Sequence, residues 1–376
     1  MIIHDLPFHI GAVDTKENPF ELPNTYPFHL AYNNAYNFLF QESNTQLDEI
    51  LEKAYRFGQL IGTPLDESSF GMPYADDFLN FINSISLPIG STVLEIGAGV
   101  GYLSRCLIEA GMQTTSIEPG VGYESHWRKN KIKVINDFFP SKQVIGKFDL
   151  IFGYAVLEHI KSPIDFLRHV SSQLHQQGHA VFSVPDCTDE LLLGDPSILF
   201  HEHFNYFEAG SLCRLMEAVG MHASVVKSGY GRCLYVVASK TAFPASGPSI
   251  SLESSVLATY PKRCETLIDG VRKKIIEISN LGETGIYCPA RCLGFLDKDL
   301  CVRFFDDDPN LLGKFLPPFP NHIENMRMLI REPVATVIVM SRTFGKEISG
   351  KLRKLGYRGS ILSLEEVIRS TRLGNE

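Results

Sequence analysis

The stretch Val93-Leu94-Glu95-Ile96-Gly97-Ala98-Gly99-Val100-Gly101 decides how the rest of the chain reads. Thr92 to Ile96 is apolar apart from one acid and has the length of a short buried strand. Three glycines then alternate with small residues. From Tyr102 to Ala110, Leu103, Leu107 and Ala110 fall on one helical face, and Gly111 supplies the stop. A glycine-rich turn between a strand and a helix stands at the switch point where open α/β sheets bind ligands. Without side chains at the glycines, the backbone there can approach a ligand closely. A dinucleotide fingerprint, G-x-G-x-x-G, needs its third glycine at 102, where Tyr102 stands. No Lys-Ser or Lys-Thr follows, so the turn is not a phosphate-cradling P-loop.

The same alternation continues on both sides of this turn. Phe78, Phe81, Ile82 and Ile85 have helical spacing, ended by Pro88 and Gly90. Strands are predicted at Thr114 to Glu118, Lys133 to Asp137, Phe148 to Phe152 and Ala180 to Val184. Ser162 caps a helix with Pro163 at its first position, and another helix follows Ser211 and stops at Gly220. Ala223 to Lys227 and Cys233 to Ala238, with Gly229 and Gly231 between them, predict an antiparallel hairpin. Strands alternating with helices imply a doubly wound parallel sheet covered on both faces. This α/β domain takes residues 76–240. Residues 1–75 are rich in Asn, Pro and aromatics with little periodicity and read as a separate small module. Thr241 to Ser251 is a Ser, Pro and Gly linker. Residues 241–376 open with a charged helical stretch and return to strand–helix alternation, a second α/β domain.

The 376 residues suit two or three domains. Hydrophobic residues at 44% and charged residues at 21% exclude wholesale disorder, collagen-like structure and a coiled-coil rod. No run approaches the roughly 18 apolar residues of a membrane span. Met1 to Asp5 lacks a basic region followed by an apolar core, so a secretory signal is not expected and a cytoplasmic location is. With 35 basic and 43 acidic side chains the net charge is -8, and no basic tract is visible. Nucleic acid and membrane are therefore not expected as main partners. Of the eight cysteines, Cys106 and Cys213 sit in apolar helical patterns as small core residues. Cys288 and Cys292 are spaced C-x3-C with Cys301 further on, a zinc pattern that lacks a fourth ligand. Reduced, mostly buried thiols are the expectation.

Charge identifies the ligand of the glycine turn. Glu95, just before it, would repel a pyrophosphate but suits an amine or a sulfonium. Glu118 ends the second strand, where an acid accepts hydrogen bonds from ribose hydroxyls. Asp137 and Phe138 end the third, where an acid and a ring bind and stack on adenine. Three acids at three successive strand ends describe a pocket for S-adenosylmethionine. The pattern resembles the class I methyltransferases over residues 80–240. The resemblance implies a seven-stranded sheet in which Glu95, Gly97, Ala98, Gly99 and Gly101 hold the methionine end, Glu118 the ribose, and Asp137 with Phe138 the adenine.

Two further runs carry acid–base groups: Val156-Leu157-Glu158-His159-Ile160 after the fourth strand, and His201-Glu202-His203-Phe204-Asn205-Tyr206-Phe207 after the fifth. In a parallel sheet both fall on the ligand edge, so their ionisable side chains can converge near the transferred methyl group. Histidine titrates near neutrality and can take a proton from carbon or oxygen. In an extended chain His201 and His203 share one side and, with His159, would also permit a metal. No metal is assigned. An acid and a histidine after the fourth strand also occur for structural reasons.

The second run, followed by the helix SLCRLMEAVGM, resembles the sugar C-methyltransferase family. Its members methylate a carbon next to a ketone on nucleotide-linked keto sugars in deoxysugar biosynthesis. The resemblance places Glu202 and His203 on the family's Glu-His pair and His159 on its histidine after the fourth strand. It extends to residue 370. There Asp306, Asp307, Asp308 and Pro309, Gly313-Lys314, Pro317, the strand Ala335 to Met340 and the helix Lys346 to Leu355 match a C-terminal Rossmann-like domain. Three positions depart from the pattern. Phe200 stands where the family has a tyrosine often assigned as the base, so the base would be His203, His159 or His201. Residues 1–75 have no cysteine, hence no zinc module, and Tyr26 to Phe40 reads as its remnant or as a lid. The turn near Tyr287 is Cys288-Pro289-Ala290-Arg291, and its proline and missing glycines argue against close phosphate approach. The expected mechanism has an acceptor entering between the middle and C-terminal domains. His203 first, or His159 second, removes a proton α to a carbonyl, and Glu202 orients that histidine. The alternatives are O- or N-methylation of another small molecule and a noncatalytic partner protein.

Overall fold

The computed structural model describes residues 1–8, 11–17, 22–56, 71–242, 251–341 and 344–373. The elements in chain order are β1 (Ile2–Pro7), β2 (Thr25–Asn33), β3 (Phe38–Gln41), α1 (Thr45–Arg56), α2 (Met72–Asn83), β4 (Thr92–Ile96) and α3 (Tyr102–Glu109). Next come β5 (Gln113–Ile117), α4 (Glu124–Lys129), β6 (Val134–Ile135), β7 (Phe148–Tyr154), α5 (Pro163–Gln173), β8 (Leu174–Pro185) and α6 (Thr188–Leu193). Then follow β9 (Asn205–Tyr206), α7 (Ala209–Ala218), β10 (His222–Lys227), β11 (Cys233–Ser239) and α8 (Ser254–Leu281). The chain closes with β12 (Thr284–Tyr287), β13 (Arg303–Asp306), β14 (Ile323–Asn325), α9 (Met328–Arg331), β15 (Thr336–Val339), α10 (Gly345–Lys354), β16 (Ser360–Ser363) and α11 (Leu364–Leu373).

The chain divides into two compact units. One comprises residues 30–189 and 202–258, the other 1–29, 190–201 and 259–376. Residues 1–75 are thus shared between the units, because β2 changes partner halfway. Its first half pairs antiparallel with β1, and from Leu30 onward it pairs with β3.

The first unit holds a seven-stranded sheet in the order β10-β11-β8-β7-β4-β5-β6. The pairs β8-β7, β7-β4, β4-β5 and β5-β6 are parallel. β11 runs antiparallel to β8 and β10, as the hairpin pattern predicts. The order reverses on either side of β4, so the glycine turn lies at the switch point. Alternation along β4 supplies both faces. Val93 joins Phe78, Leu107 and Leu150 on one side, and Leu94 and Ile96 join Ile151, Phe182 and Leu212 on the other. β6 is shorter than the predicted Lys133 to Asp137. The helix expected after Ser211 begins two residues earlier. Glu208 is its cap, accepting from the Gly210 and Ser211 amides at 2.8 Å each, while Ser211 Oγ accepts from the Glu208 amide. A buried glutamate at the N-cap therefore forms the capping box with serine at the third position, the reverse of the usual order.

In the second unit, β14-β13-β12-β15-β16 form a wholly parallel five-stranded sheet that reverses at β12. This is the expected Rossmann-like arrangement. The turn after β12 places Cys288 at φ 52° and leads into a 3-10 turn, Ala290–Phe295, rather than an α-helix. The zinc pattern is not assembled among the described residues. Cys288 contacts Asp306, Cys292 contacts the Met340 carbonyl, and Cys301 is exposed. None of the eight cysteines forms a disulfide. Three are fully buried, and Cys106 and Cys213 are only partly so, because each lies at the edge of its helix's apolar face.

Candidate active site

The glycine turn begins where β4 ends. Gly97, Gly99 and Gly101 all have positive φ, at 76°, 51° and 82°. A Cβ at Gly97 would lie 2.7 Å from Val156 Cγ2, and one at Gly101 would lie 2.5 Å from Ile132 Cδ1. Both positions thus require glycine for conformation and for space. Glu118, just past β5, reaches back under the turn. Its carboxylate accepts from the Gly99 amide at 2.8 Å and the Gly120 amide at 2.7 Å. The Gly99 carbonyl accepts from Trp127 Nε1 at 2.8 Å, a contact that sequence spacing does not reveal. Asp137 accepts from the Phe138 amide and from Ser141 Oγ, which leaves the Phe138 ring at the surface, 36% exposed. A turn without side chains, flanked by an acid at the end of the second strand and an exposed ring after the third, fits an adenosyl sulfonium ligand.

Glu95 is placed differently from the expectation that it faces the sulfonium. It is 3% exposed and accepts a short hydrogen bond from Ser104 Oγ on α3, and Ser104 in turn meets Ser116 Oγ. Burial pushes its carboxyl up from 4.5 to about 8, with the Ser104 hydrogen bonds opposing the rise. The folded state therefore holds one more proton than the unfolded state between those pH values. Stability falls through that window as pH rises, by up to about 1.4 kcal/mol per pH unit. Urea denaturation across pH 4 to 9 should show stability falling less steeply with rising pH in Glu95→Gln than in the wild type. Equal slopes would mean that Glu95 ionises normally.

The two acid–base runs meet at the carboxyl edge of the same sheet. Glu158 and His159 lie in a 3-10 turn after β7. Asn205, from β9, donates its side-chain amide to the carbonyls of Leu157 and Ile160, and the Phe204 amide donates to the Glu158 carbonyl at 2.7 Å. These bonds staple the second run onto the first. The His159 and His203 rings meet edge to face at 4.8 Å. His159 Nδ1 lies 2.9 Å from the Glu202 carbonyl and 2.7 Å from the Tyr55 hydroxyl. A carbonyl only accepts, so Nδ1 carries the proton and Nε2 keeps its lone pair. Glu202 thus orients His159 through its main chain.

Burial lowers His159 to about 4 and raises Glu158 to about 8. Between those values both are neutral, so their 4.0 Å approach is not an ion pair. Tyr55 is pushed well above its ordinary value by burial and by the Glu202 and Glu158 charges, and it stays protonated. Nothing in the spacing of residues 1–75 singles out Tyr55. It arrives because α1 follows the β2-β3 hairpin, and β3 pairs with β9.

His201 does not join this group. Residues 201 and 202 form a turn, so the two histidines do not share a side as they would in an extended chain. The His201 ring is wholly buried, stacked on Phe8 at 5.1 Å and donating from Nε2 to the Tyr26 carbonyl at 2.9 Å. Burial lowers it to about 4, and it serves as a neutral core residue. Phe200 lies beneath the Arg291 guanidinium, 5.9 Å from its ring centre.

Sheet order, glycine turn and strand-end acids together define a class I methyltransferase domain. Residues 72–223 match the family model described as a methyltransferase domain, and S-adenosylmethionine is the methyl donor of this class. The C-methyltransferase NovU of Streptomyces niveus is 27% identical over 146 residues, 37% of this chain and 35% of that one. A tRNA U34 carboxymethyltransferase of Pseudoalteromonas translucida is 33% identical over 105 residues, 24% and 31% of the two chains. Among solved structures, magnesium protoporphyrin IX methyltransferase of Synechocystis PCC 6803 with bound SAM is 12% identical with a TM-score of 0.39, covering 53% of this chain and all of that one. The chain thus spans about a third of the length of these curated relatives. Among the described residues no helix is long and apolar enough to cross a membrane.

Proposed function

We propose that the protein transfers a methyl group to a carbon next to a ketone, on a nucleotide-linked keto sugar or a similar small molecule. The observation that carries this reading is the His159-His203 pair beside a donor turn, on a loop whose Val156 packs against Gly97. S-adenosylmethionine supplies an electrophilic methyl group on a sulfonium that leaves readily. Proton removal and positioning are then the protein's share. His203 takes the proton α to the carbonyl. His159, held neutral by burial and oriented by the Glu202 carbonyl, keeps its Nε2 lone pair at the site. Tyr55, protonated, supplies the phenol that Phe200 lacks and fixes the His159 ring. Glu118, the Gly97 to Gly101 turn, Asp137 and Phe138 would hold the donor.

The similarity to a C-methyltransferase favours carbon as the acceptor atom. A net charge of -8 favours a small molecule over nucleic acid, despite the match to a tRNA-modifying enzyme. Eight cysteines without a disulfide fit a reducing, cytoplasmic setting. The test uses keto sugars linked to a nucleoside diphosphate, in deuterated water. Proton exchange at the α-carbon and a new C-methyl signal by NMR are expected. A methyl group on oxygen or nitrogen, with no exchange at carbon, would refute the reading.

A further inference from the structure

We propose that Glu158, His159 and His203 form a binding site for a divalent transition-metal ion of the zinc type. One ligand atom from each lies within 4.8 Å of the others. Small side-chain rotations bring such atoms to bonding range, about 2.0–2.2 Å for zinc to imidazole nitrogen or carboxylate oxygen. A second observation points to a cation. Glu158 is 1% exposed, and its Oε2 has no hydrogen-bond partner among the described residues. A buried carboxyl oxygen without a partner is costly, and an ion that displaces the carboxyl proton to solvent removes that cost.

The histidine geometry agrees. Histidine ligands usually donate their other ring nitrogen to a carbonyl or carboxylate. His159 does so, through Nδ1 to the Glu202 carbonyl, and its Nε2 lies 4.0 Å from Glu158 Oε1. Both histidines are only partly buried, so an ion can reach them. Two nitrogens and one oxygen select a borderline ion such as zinc or cobalt over magnesium or calcium, which prefer all-oxygen sets. Three protein ligands leave positions open, the mark of an exchangeable site. Resting on the acid–base reading above, a bound ion occupies the lone pairs that proton removal needs. It therefore holds the site inactive until it is withdrawn.

The full chain, stripped with a chelator, is titrated with Zn2+ by calorimetry and with Co2+ by visible absorption. One ion per chain and the intense visible bands of low-coordinate cobalt are expected. Glu158→Gln should weaken Zn2+ binding at least about tenfold. S-adenosylmethionine uptake by the variant reports that its fold is intact. Should Glu158→Gln fail to fold, His159→Gln is read in the same way. No ion bound by the wild type, or wild-type affinity in the folded variant, overturns the site. Turnover is a separate readout. Zn2+ is expected to slow methyl transfer and a chelator to restore it, whereas transfer unchanged or faster with the ion bound overturns the inhibitory role. Failure of C-methylation in metal-free protein would sink the acid–base reading instead, and the Co2+ spectrum would still report the site.

Discussion

Gly101→Ala is expected to lose S-adenosylmethionine binding by at least tenfold and to destabilise the fold. Gly101 is the N-cap of α3 with φ 82°. A side chain in that left-handed conformation costs about 1–2 kcal/mol before any contact is counted. The added Cβ would then sit 2.5 Å from Ile132 Cδ1 and 3.5 Å from Trp127 Cδ1. Ile132 is buried, so its relief has to displace neighbours, typically at about 1–3 kcal/mol. Trp127 donates to the Gly99 carbonyl, so the disturbance passes directly into the glycine turn. Trp127 is also the chain's single tryptophan, which makes its fluorescence a reporter of this turn alone. Calorimetry with the donor, a fluorescence titration and a urea melt together test the expectation. Wild-type affinity with an unchanged Trp127 signal would show that the turn does not hold the donor.

His203→Ala and His159→Ala are each expected to lower turnover about 10²–10⁴-fold, the usual contribution of a positioned acid or base. Donor affinity should stay within about twofold, since His159 is held by the Glu202 carbonyl and the Tyr55 hydroxyl rather than by the glycine turn. The two losses should not add. The rings are in edge-to-face contact and serve one proton transfer. Tyr55→Phe should cost less, because the Glu202 carbonyl still fixes His159 Nδ1. Single-turnover assays of the three variants and of the double histidine variant decide this. Near-wild-type rates in both single variants would remove the histidines from the reaction.

The α/β class and the strand–glycine turn–helix unit at its switch point could be read from residue order. Local signals suffice there. β4 has its expected limits, and α3 needs a glycine stop and shows one at Gly111. Glycines with positive φ appear where the spacing places them. Such features depend on backbone conformation and on neighbours within a few residues.

The orientation of Glu95 was not legible. Whether an acid before the turn faces a ligand or a helix depends on Ser104 and Ser116, contributed by α3 and β5. His201 and His203 differ by two positions and have opposite fates. One is enclosed by Phe8, Tyr26 and Phe28, and the other meets His159. The extended-chain assumption hid this, because a turn at His201 and Glu202 breaks the two-residue rhythm.

Residue order alone established a strand–glycine turn–helix unit, repeated βα alternation and acids at successive strand ends, because each rests on periodicity and backbone freedom. Folding in three dimensions decided the composition of the acid–base group. Tyr55 enters it and His201 leaves it. That choice rests on β3 pairing with β9, on Asn205 bridging two loops 45 residues apart, and on burial that raises Glu158 and lowers His159. Burial and long-range pairing are properties of the packed chain, and no short window of sequence carries them.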